Sequence, residues 1–317
     1  MKKKFIFLCI LIFTGFILFY PQKAVESATN GLVLWYQNVL PSLLPFAVLS
    51  NILIYSNYLQ YITRYLHKLT QFFLPASEEG AFVIISGFLF GFPMGSKNCS
   101  ELLKHGKLKK EEANVLFVIT NNISPVFISG FILCQQLQMP SLIAVSYLVL
   151  YLPPIIAGAI LLRQKAVSGV LSGNAFSHKK PASGSQMNFK IIDAGIMNGF
   201  ETLTRLGGYI MLFSMLTAML SILPLSPLIQ TVLSGVFEIT NGIKQLQQIN
   251  LCPAARYIMA MAFTALGGLS GIAQTNSMVR DSGLSMRYYC KLKLLLTACT
   301  ILLAWAVTRF CSPALFS

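Results

Sequence analysis

The residues that could do chemistry are amide, hydroxyl and ionisable side chains set inside apolar runs, and four short stretches carry them. SGFLFGFPMGSK (86–97) holds Gly91, Pro93, Gly95, Ser96 and Lys97, and TNNISP (120–125) sets Asn121, Asn122 and Ser124 before a proline. VFEITNGI (236–243) holds Glu238 and Asn241, and GGLSGIAQT (267–275) brings Gly268, Ser270, Gln274 and Thr275. A lipid-facing helix does not break in this way. An unpaired backbone group in hydrocarbon costs several kcal/mol, so irregular backbone survives at membrane depth only inside protein or beside water. The chemistry that suits such residues is reversible binding of a small polar solute, with an anion as the expected cargo. Lys97 would supply a mobile cation. The amides of the helix that Ser96 helps to start favour an anion, and the Asn, Gln, Ser and Thr side chains can donate to carboxylate or ring atoms. Glu238 would repel a dianion, so it is expected to carry a coupling proton or cation, or to pair with Lys97. Two plainer readings stay open: Lys97 as a cytoplasmic loop charge, and Glu238 as a carboxylate facing water at a helix end.

Enzyme chemistry finds no support in the pattern. His67, His105 and His178 lie far apart, and there is no HExxH, no phosphate loop and no Ser–His–Asp constellation. The seven cysteines (Cys9, Cys99, Cys134, Cys252, Cys290, Cys299 and Cys311) form no CxxC pair and are odd in number, so neither a disulfide framework nor a metal site is expected. No cofactor is implied.

These stretches need a membrane around them. The chain is 55% hydrophobic and 11% charged, where soluble domains carry about 25% charged residues. It reads as an all-α polytopic membrane protein whose constant partner is the lipid bilayer. The net charge of +14 lies mostly between apolar segments, as in cytoplasmic loops, and not as the clustered footprint of a nucleic-acid binder. Nucleic acid is therefore excluded as a partner. The oligomeric state is not legible.

Residues 1–30 form an N-terminal transmembrane anchor: basic Met1–Lys4 precedes apolar Phe5–Tyr20, which reads as an uncleaved helix with a cytoplasmic N-terminus, a cleaved signal peptide being the alternative. Leu32–Tyr55 is the second span, disturbed by Pro41 and Pro45. In Asn57–Leu74, Tyr58, Ile62, Leu66 and Leu69 recur at helical spacing with Arg64, His67 and Lys68 between them, which predicts an amphipathic helix at the interface. Ala81–Gly95 is apolar but shorter than the ~20 residues of a span, and both its flanks are charged. Ala81–Leu103 is then a re-entrant hairpin with its tip in GFPMG, or else a plain short span. Glu112–Leu133 is interrupted at Thr120–Pro125, as in the broken helices of secondary transporters, and would offer free N–H and C=O groups to a solute, the alternative being a kinked helix whose Asn and Ser only join neighbouring helices. Met139–Leu162 is a further span. Residues 164–189, rich in Ser, Gly and Lys, form a flexible cytoplasmic linker between a first repeat (31–163) and a second (190–317).

In the second repeat, Ile191–Leu223, Leu225–Leu246, Arg256–Gly271 and Leu292–Val307 are the apolar stretches. GFPMGSKNCSELLKHGKL aligns with GGLSGIAQTNSMVRDSGL, so two inverted repeats with re-entrant or broken helices are expected to meet near the bilayer midplane. Under that arrangement Arg280, Arg287, Lys291 and Lys293 would lie outside, against the positive-inside trend.

WYQNVLPSLLPFAVLSNIL (35–53), GFPMGSK, TNNISPVFI, VFEITNGI and GGLSGIAQ occur in this order. Together they resemble the YlbJ family of sporulation integral membrane proteins. That family lies in the wider group with nucleoside-recognition, or Gate, domains, which includes concentrative nucleoside transporters and the ferrous-iron transporter gate. The resemblance covers residues 30–163 and 190–309, and makes the two repeats Gate-like. It implies hairpin tips at Gly91–Lys97 and Gly267–Gln274, a role in spore maturation, and transport of dipicolinate from the mother cell toward the developing spore. It also implies a location in the cell membrane or the mother-cell-derived forespore membrane. The chain departs from the family in its compactness and in lacking a lysine at its second Gly-rich turn. The expected function is a secondary transporter of a small organic anion. A nucleoside transporter and a non-transporting scaffold for spore envelope assembly are the alternatives.

Overall fold

A computed structural model describes residues 2–56, 58–167 and 188–310, and all regular structure in them is helical. Most of the expected 164–189 linker, and Asn57 at the head of the expected amphipathic helix, lie outside the described residues. Five helical stretches are long and apolar enough to cross a membrane: Pro21–Tyr55, Pro140–Val167, Phe189–Leu220, Pro253–Val279 and Met286–Phe310.

Helix α1 (Lys2–Phe19) is the apolar leader into α2 (Pro21–Leu34), which runs through a π-helical turn at Trp35–Val39 into α3 (Leu40–Tyr55). The second span thus begins at Pro21, not Leu32. Pro21 sits in a first turn, where a missing N–H costs nothing, whereas Pro41 directly follows the π-helical turn and Pro45 lies inside α3, the two disturbances expected of this span. Helix α4 (Leu59–Thr70) buries Leu59 and Thr63 while Tyr61, Ile62, Tyr65 and Leu69 stay exposed, the outward apolar face expected of an interfacial helix.

Helices α5 (Glu78–Phe90) and α6 (Met94–Lys104) form the expected hairpin. Ser77 caps α5 by accepting from the Gly80 amide at 3.0 Å, and Asn98 Nδ2 donates 2.9 Å across the hairpin to Ser86 Oγ. At 13 and 11 residues, the arms reach only about 20 Å, short of the ~30 Å hydrocarbon core. Helix α7 (Lys110–Ile119) then breaks at Thr120–Pro125 and resumes as a π-helical stretch, Phe127–Leu137, before α8 (Ile143–Val167) returns.

In the second half, α9 (Phe189–Leu220) lies antiparallel on α2 and α3 along a row of close approaches: Gly195 meets Ile52, Gly199 meets Val48, Gly207 meets the Trp35 ring, and Gly31 meets Met211. Helices α10 (Pro227–Phe237) and α11 (Ile239–Leu246) form a second hairpin whose tip is the extended residue Glu238. Helices α12 (Pro253–Leu266) and α13 (Gly268–Val279) make a span broken at Gly267, and α14 (Met286–Phe310) closes the bundle.

This order corrects the alignment of the halves. Gly267–Gln274 is not the second hairpin tip. It is the break in a span, as Thr120–Pro125 is in the first half. The second short hairpin turns instead within FEITNGIK. The physical reason is length: the 11 residues of α10 cannot cross a bilayer, and Gly242 packs so closely on Gly235 that α11 folds straight back.

The ends of the bundle are marked by contacts. Ser77 N donates to Glu112 Oε1 at 2.6 Å, Lys107 Nζ to Ile54 O at 2.7 Å, and Ser285 N to Asn114 Oδ1 at 2.9 Å. These gather the open end of the first hairpin, the end of α3 and the α13–α14 turn at one face. Burial draws the Lys107 ammonium below its usual pKa there, with Glu79 acting the other way. The open end of the second hairpin lies at the other face, where Leu246 and Ile249 pack with Leu137, Met139 and Leu142. Arg280 and Arg287 therefore share the face of Lys104–Lys110, and the conflict with the positive-inside rule disappears. Lys293 leaves the loops altogether and is buried inside.

A Cβ at Gly242 would stand 2.2 Å from Gly235 Cα, whereas one at Gly208 would meet nothing within 4 Å. Gly242→Ala is expected to cost about 1–3 kcal/mol, as overpacking does, and Gly208→Ala to be neutral or stabilising. Thermal unfolding of the detergent-purified chain reads both.

Candidate functional site: a cavity between two hairpins

The first hairpin is laid on the broken span through glycines. A Cβ at Gly87 would come 2.5 Å from Thr120 Cβ, at Gly91 2.5 Å from Ser124 N, and at Gly95 2.5 Å from Thr120 O. Gly91 also adopts φ +76°, which side chains disfavour. Gly91 and Gly95, expected to hold the solute, therefore hold backbone. Pro93 is buried behind them, and Ser96 Oγ donates to Phe117 O at 3.4 Å.

Nor does the break leave most of its carbonyls to a solute. Ile119 O accepts from Asn122 Nδ2 (2.6 Å), Asn121 O from Lys293 Nζ (2.9 Å), Asn122 O from Phe92 N (2.6 Å), Ile123 O from Tyr151 Oη (2.7 Å) and Pro125 O from Tyr147 Oη (3.1 Å). The expectation of free backbone acceptors is overturned, because protein donors reach them first, as the absence of water at this depth demands.

Lys97 is turned to a protein partner. Its Nζ donates 3.0 Å to Asn51 Oδ1, and Asn51 Nδ2 donates 3.2 Å to Gly195 O, a tether from α6 through α3 to α9. The pairing of Lys97 with Glu238 is not made either. Glu238 caps α11: its Oε2 accepts from the Asn241 amide at 2.9 Å and from the Thr240 hydroxyl, a placement the helix dipole favours.

A cavity of about 490 Å³ lies where the tips and breaks converge, a volume within the ~300–1,000 Å³ typical of small-molecule sites. Its walls are aromatic, with Phe46, Phe90, Phe92, Phe127 and Phe131; Phe46 and Phe90 stack with centroids 3.9 Å apart. Its polar lining includes Asn38, Ser42, Gln135 and Thr240 beside the expected Ser124, Glu238, Ser270 and Gln274. Gln274 Nε2 donates to Ser270 Oγ at 2.8 Å, while Gln274 Oε1 is buried without a partner. The Phe92 ring lies 3.5 Å from where a Gly271 Cβ would stand, so the first hairpin tip and the second break do meet.

Of the remaining expected residues, Asn121 spans the two halves, its Nδ2 2.8 Å from both Thr275 Oγ1 and Tyr289 Oη. Asn122 serves the break, Asn241 reaches Ser214 Oγ at 3.4 Å, and Gly268 (φ +65°) packs on Phe237 O. None of these three lines the cavity. Sequence reasoning missed Phe92 and Lys293. The signal for Lys293 was present: Tyr289, Lys293, Thr297 and Thr300 fall on one stripe of α14 and all are buried.

Residues 37–136, from the π-helical turn through the hairpin and the break, match the family model described as Gate: nucleoside recognition. The chain is 25% identical over 335 residues to the sporulation integral membrane protein YlbJ of Bacillus subtilis (strain 168), with 93% of this chain and 81% of that protein covered. The resemblance drawn from the five motifs is borne out, as is placement in a membrane. No solved structure matches the chain.

Tyr151→Phe strips the Ile123 carbonyl of its donor. It is expected to destabilise the purified chain by about 1 kcal/mol or more, as an unsatisfied buried acceptor does, with no change in a Tyr65→Phe control on exposed α4. Thermal unfolding of both variants measures the difference.

Proposed function

We propose, on the premise of that likeness, that the chain is a secondary transporter acting in sporulation, whose solute occupies the cavity between the two hairpins. One observation carries the reading. A single cavity of about 490 Å³ is walled by the tips of both hairpins and by the broken segment of both spans, so a solute there would touch the irregular backbone of each half. The hairpins open to opposite faces, which supports an inverted-repeat arrangement in which the halves rock around a fixed site. The aromatic walls suit a small flat organic body, and the short polar list suits recognition of one edge of it.

Dipicolinate, implied by the family resemblance, is the first solute to test. A nucleoside is the second reading, favoured by a specific feature: the Glu238 carboxylate and the Gln274 amide, whose Oε1 is unpartnered, lie in the cavity lining, and bases and ribose hydroxyls are donors. Glu238 is the residue through which a coupling proton or cation would act, being the one ionisable group among the described residues that line the cavity. A scaffold without transport would leave the cavity dispensable.

The test is uptake of labelled dipicolinate and of labelled uridine into proteoliposomes holding the full chain. Chain-dependent uptake of at least one is expected, and Gly271→Trp, which fills the cavity beside Phe92, is expected to lower it at least tenfold. Uptake that survives Gly271→Trp unchanged would sink the proposal, and cross-competition identifies which solute is carried.

A further inference from the structure

We propose that Lys293, not Lys97, is the residue that holds the anionic group of the solute, in an inner compartment that the Phe92 ring separates from the main cavity. The proposal rests on the transporter reading and names the solute class for that site: a small flat carboxylate with an N–H or O–H donor beside it.

Lys293 is 3% exposed, two turns into α14 on the stripe that faces the protein interior. Its ammonium has three protons. The contacts it makes are to Asn121 O at 2.9 Å and Asn122 Oδ1 at 3.4 Å, both neutral acceptors. Among the described residues no carboxylate pairs with it. A buried charge without a counter-ion is costly, and at membrane depth such a group marks a place where function needs it. Lys97 is in a different position, held by a side-chain tether that turns it toward α3 and away from the cavity.

The space beside Lys293 is a pocket of about 10 Å³ whose lining includes Asn121 and Tyr289. It shares Phe92, Ile123, Gly267 and Gly271 with the main cavity. At this size it has room for little more than one water, so a solute group enters only when this shared wall moves, and that movement is assigned to the Phe92 ring. The ring stands 3.5 Å from where a Gly271 Cβ would be, so no side chain at 271 wedges against it. Asn121, which also lines the compartment, keeps a buried and unpartnered Oδ1, while its Nδ2 protons go to Thr275 and Tyr289 and fix the amide's orientation. That oxygen can only accept. A carboxylate on Lys293 with a donor turned to Asn121 Oδ1 would satisfy both groups at once.

Anthranilate, a planar carboxylate with an adjacent amine, and its neutral isostere 2-aminobenzamide are the probes, measured by equilibrium binding to the full chain in detergent. Wild type is expected to bind anthranilate at least tenfold tighter than 2-aminobenzamide. Lys293→Met should erase that preference while leaving 2-aminobenzamide affinity within about twofold; Lys293→Arg should keep part of it, and Lys97→Met all of it. Phe92→Ala, which keeps the charge and opens the compartment, should speed anthranilate association severalfold, and this readout stands even if Lys293→Met does not fold. No preference in wild type, a preference that survives Lys293→Met, or an unchanged association rate in Phe92→Ala overturns the assignment. Failure of the two readings is separable. Intact preference in a chain that moves no solute sinks transport alone, and uptake that persists without any preference sinks the Lys293 site alone.

Discussion

Every backbone acceptor exposed by a broken helix at membrane depth must find a donor in the protein, and this requirement organises the bundle. The Thr120–Pro125 break draws on four sources: the tip of the first hairpin through the Phe92 amide, α8 through Tyr147 and Tyr151, α14 through Lys293, and the break's own Asn122 side chain. Each donor fixes where its helix can stand. The cavity is the space left once these helices have been pinned around one irregular strand of chain.

The glycines do the complementary part. Gly87, Gly91 and Gly95 bring the hairpin backbone onto the break at distances no side chain permits. A second glycine row on α9, Gly195, Gly199 and Gly207, brings that helix onto α2 and α3. Small residues at helix contacts replace the hydrophobic drive that is missing in lipid with close van der Waals approach. The Asn51 amide, bonded on one side to Lys97 and on the other to Gly195 O, ties the two glycine-packed layers together. The polar groups at the tips are thus held by scaffold contacts, and only a few of them remain to face a solute.

Much of this was legible in the residues, and the misses have physical causes. The first hairpin could be read because its apolar length fell short of a span and both flanks were charged. The first break could be read because two Asn and a Pro stood mid-helix. The second hairpin was misplaced because Gly267-Gly268 is the louder glycine signal; the quieter one, an 11-residue apolar helix ending in a carboxylate, was the tip. Lys293 was grouped with Arg287 and Lys291 as a loop charge, although its spacing from Tyr289 and Thr297 placed it on the inward stripe. Lys97 shows the limit of residue type as a guide. A lysine after a glycine turn has the right chemistry for an anion, yet the direction of its side chain depends on Asn51, 46 positions earlier in the chain.

The ammonium of Lys293 is bonded to the same two residues, Asn121 and Asn122, that form the first break. Whatever competes for those protons weakens the clasp that keeps the severed span in its present shape. Conversely, a tighter clasp makes the protons less available. By reciprocity of linked equilibria, occupancy next to α14 and rigidity of the first half are two readings of one free energy. A chain built in this way would soften at its centre on loading, and stiffen again when emptied.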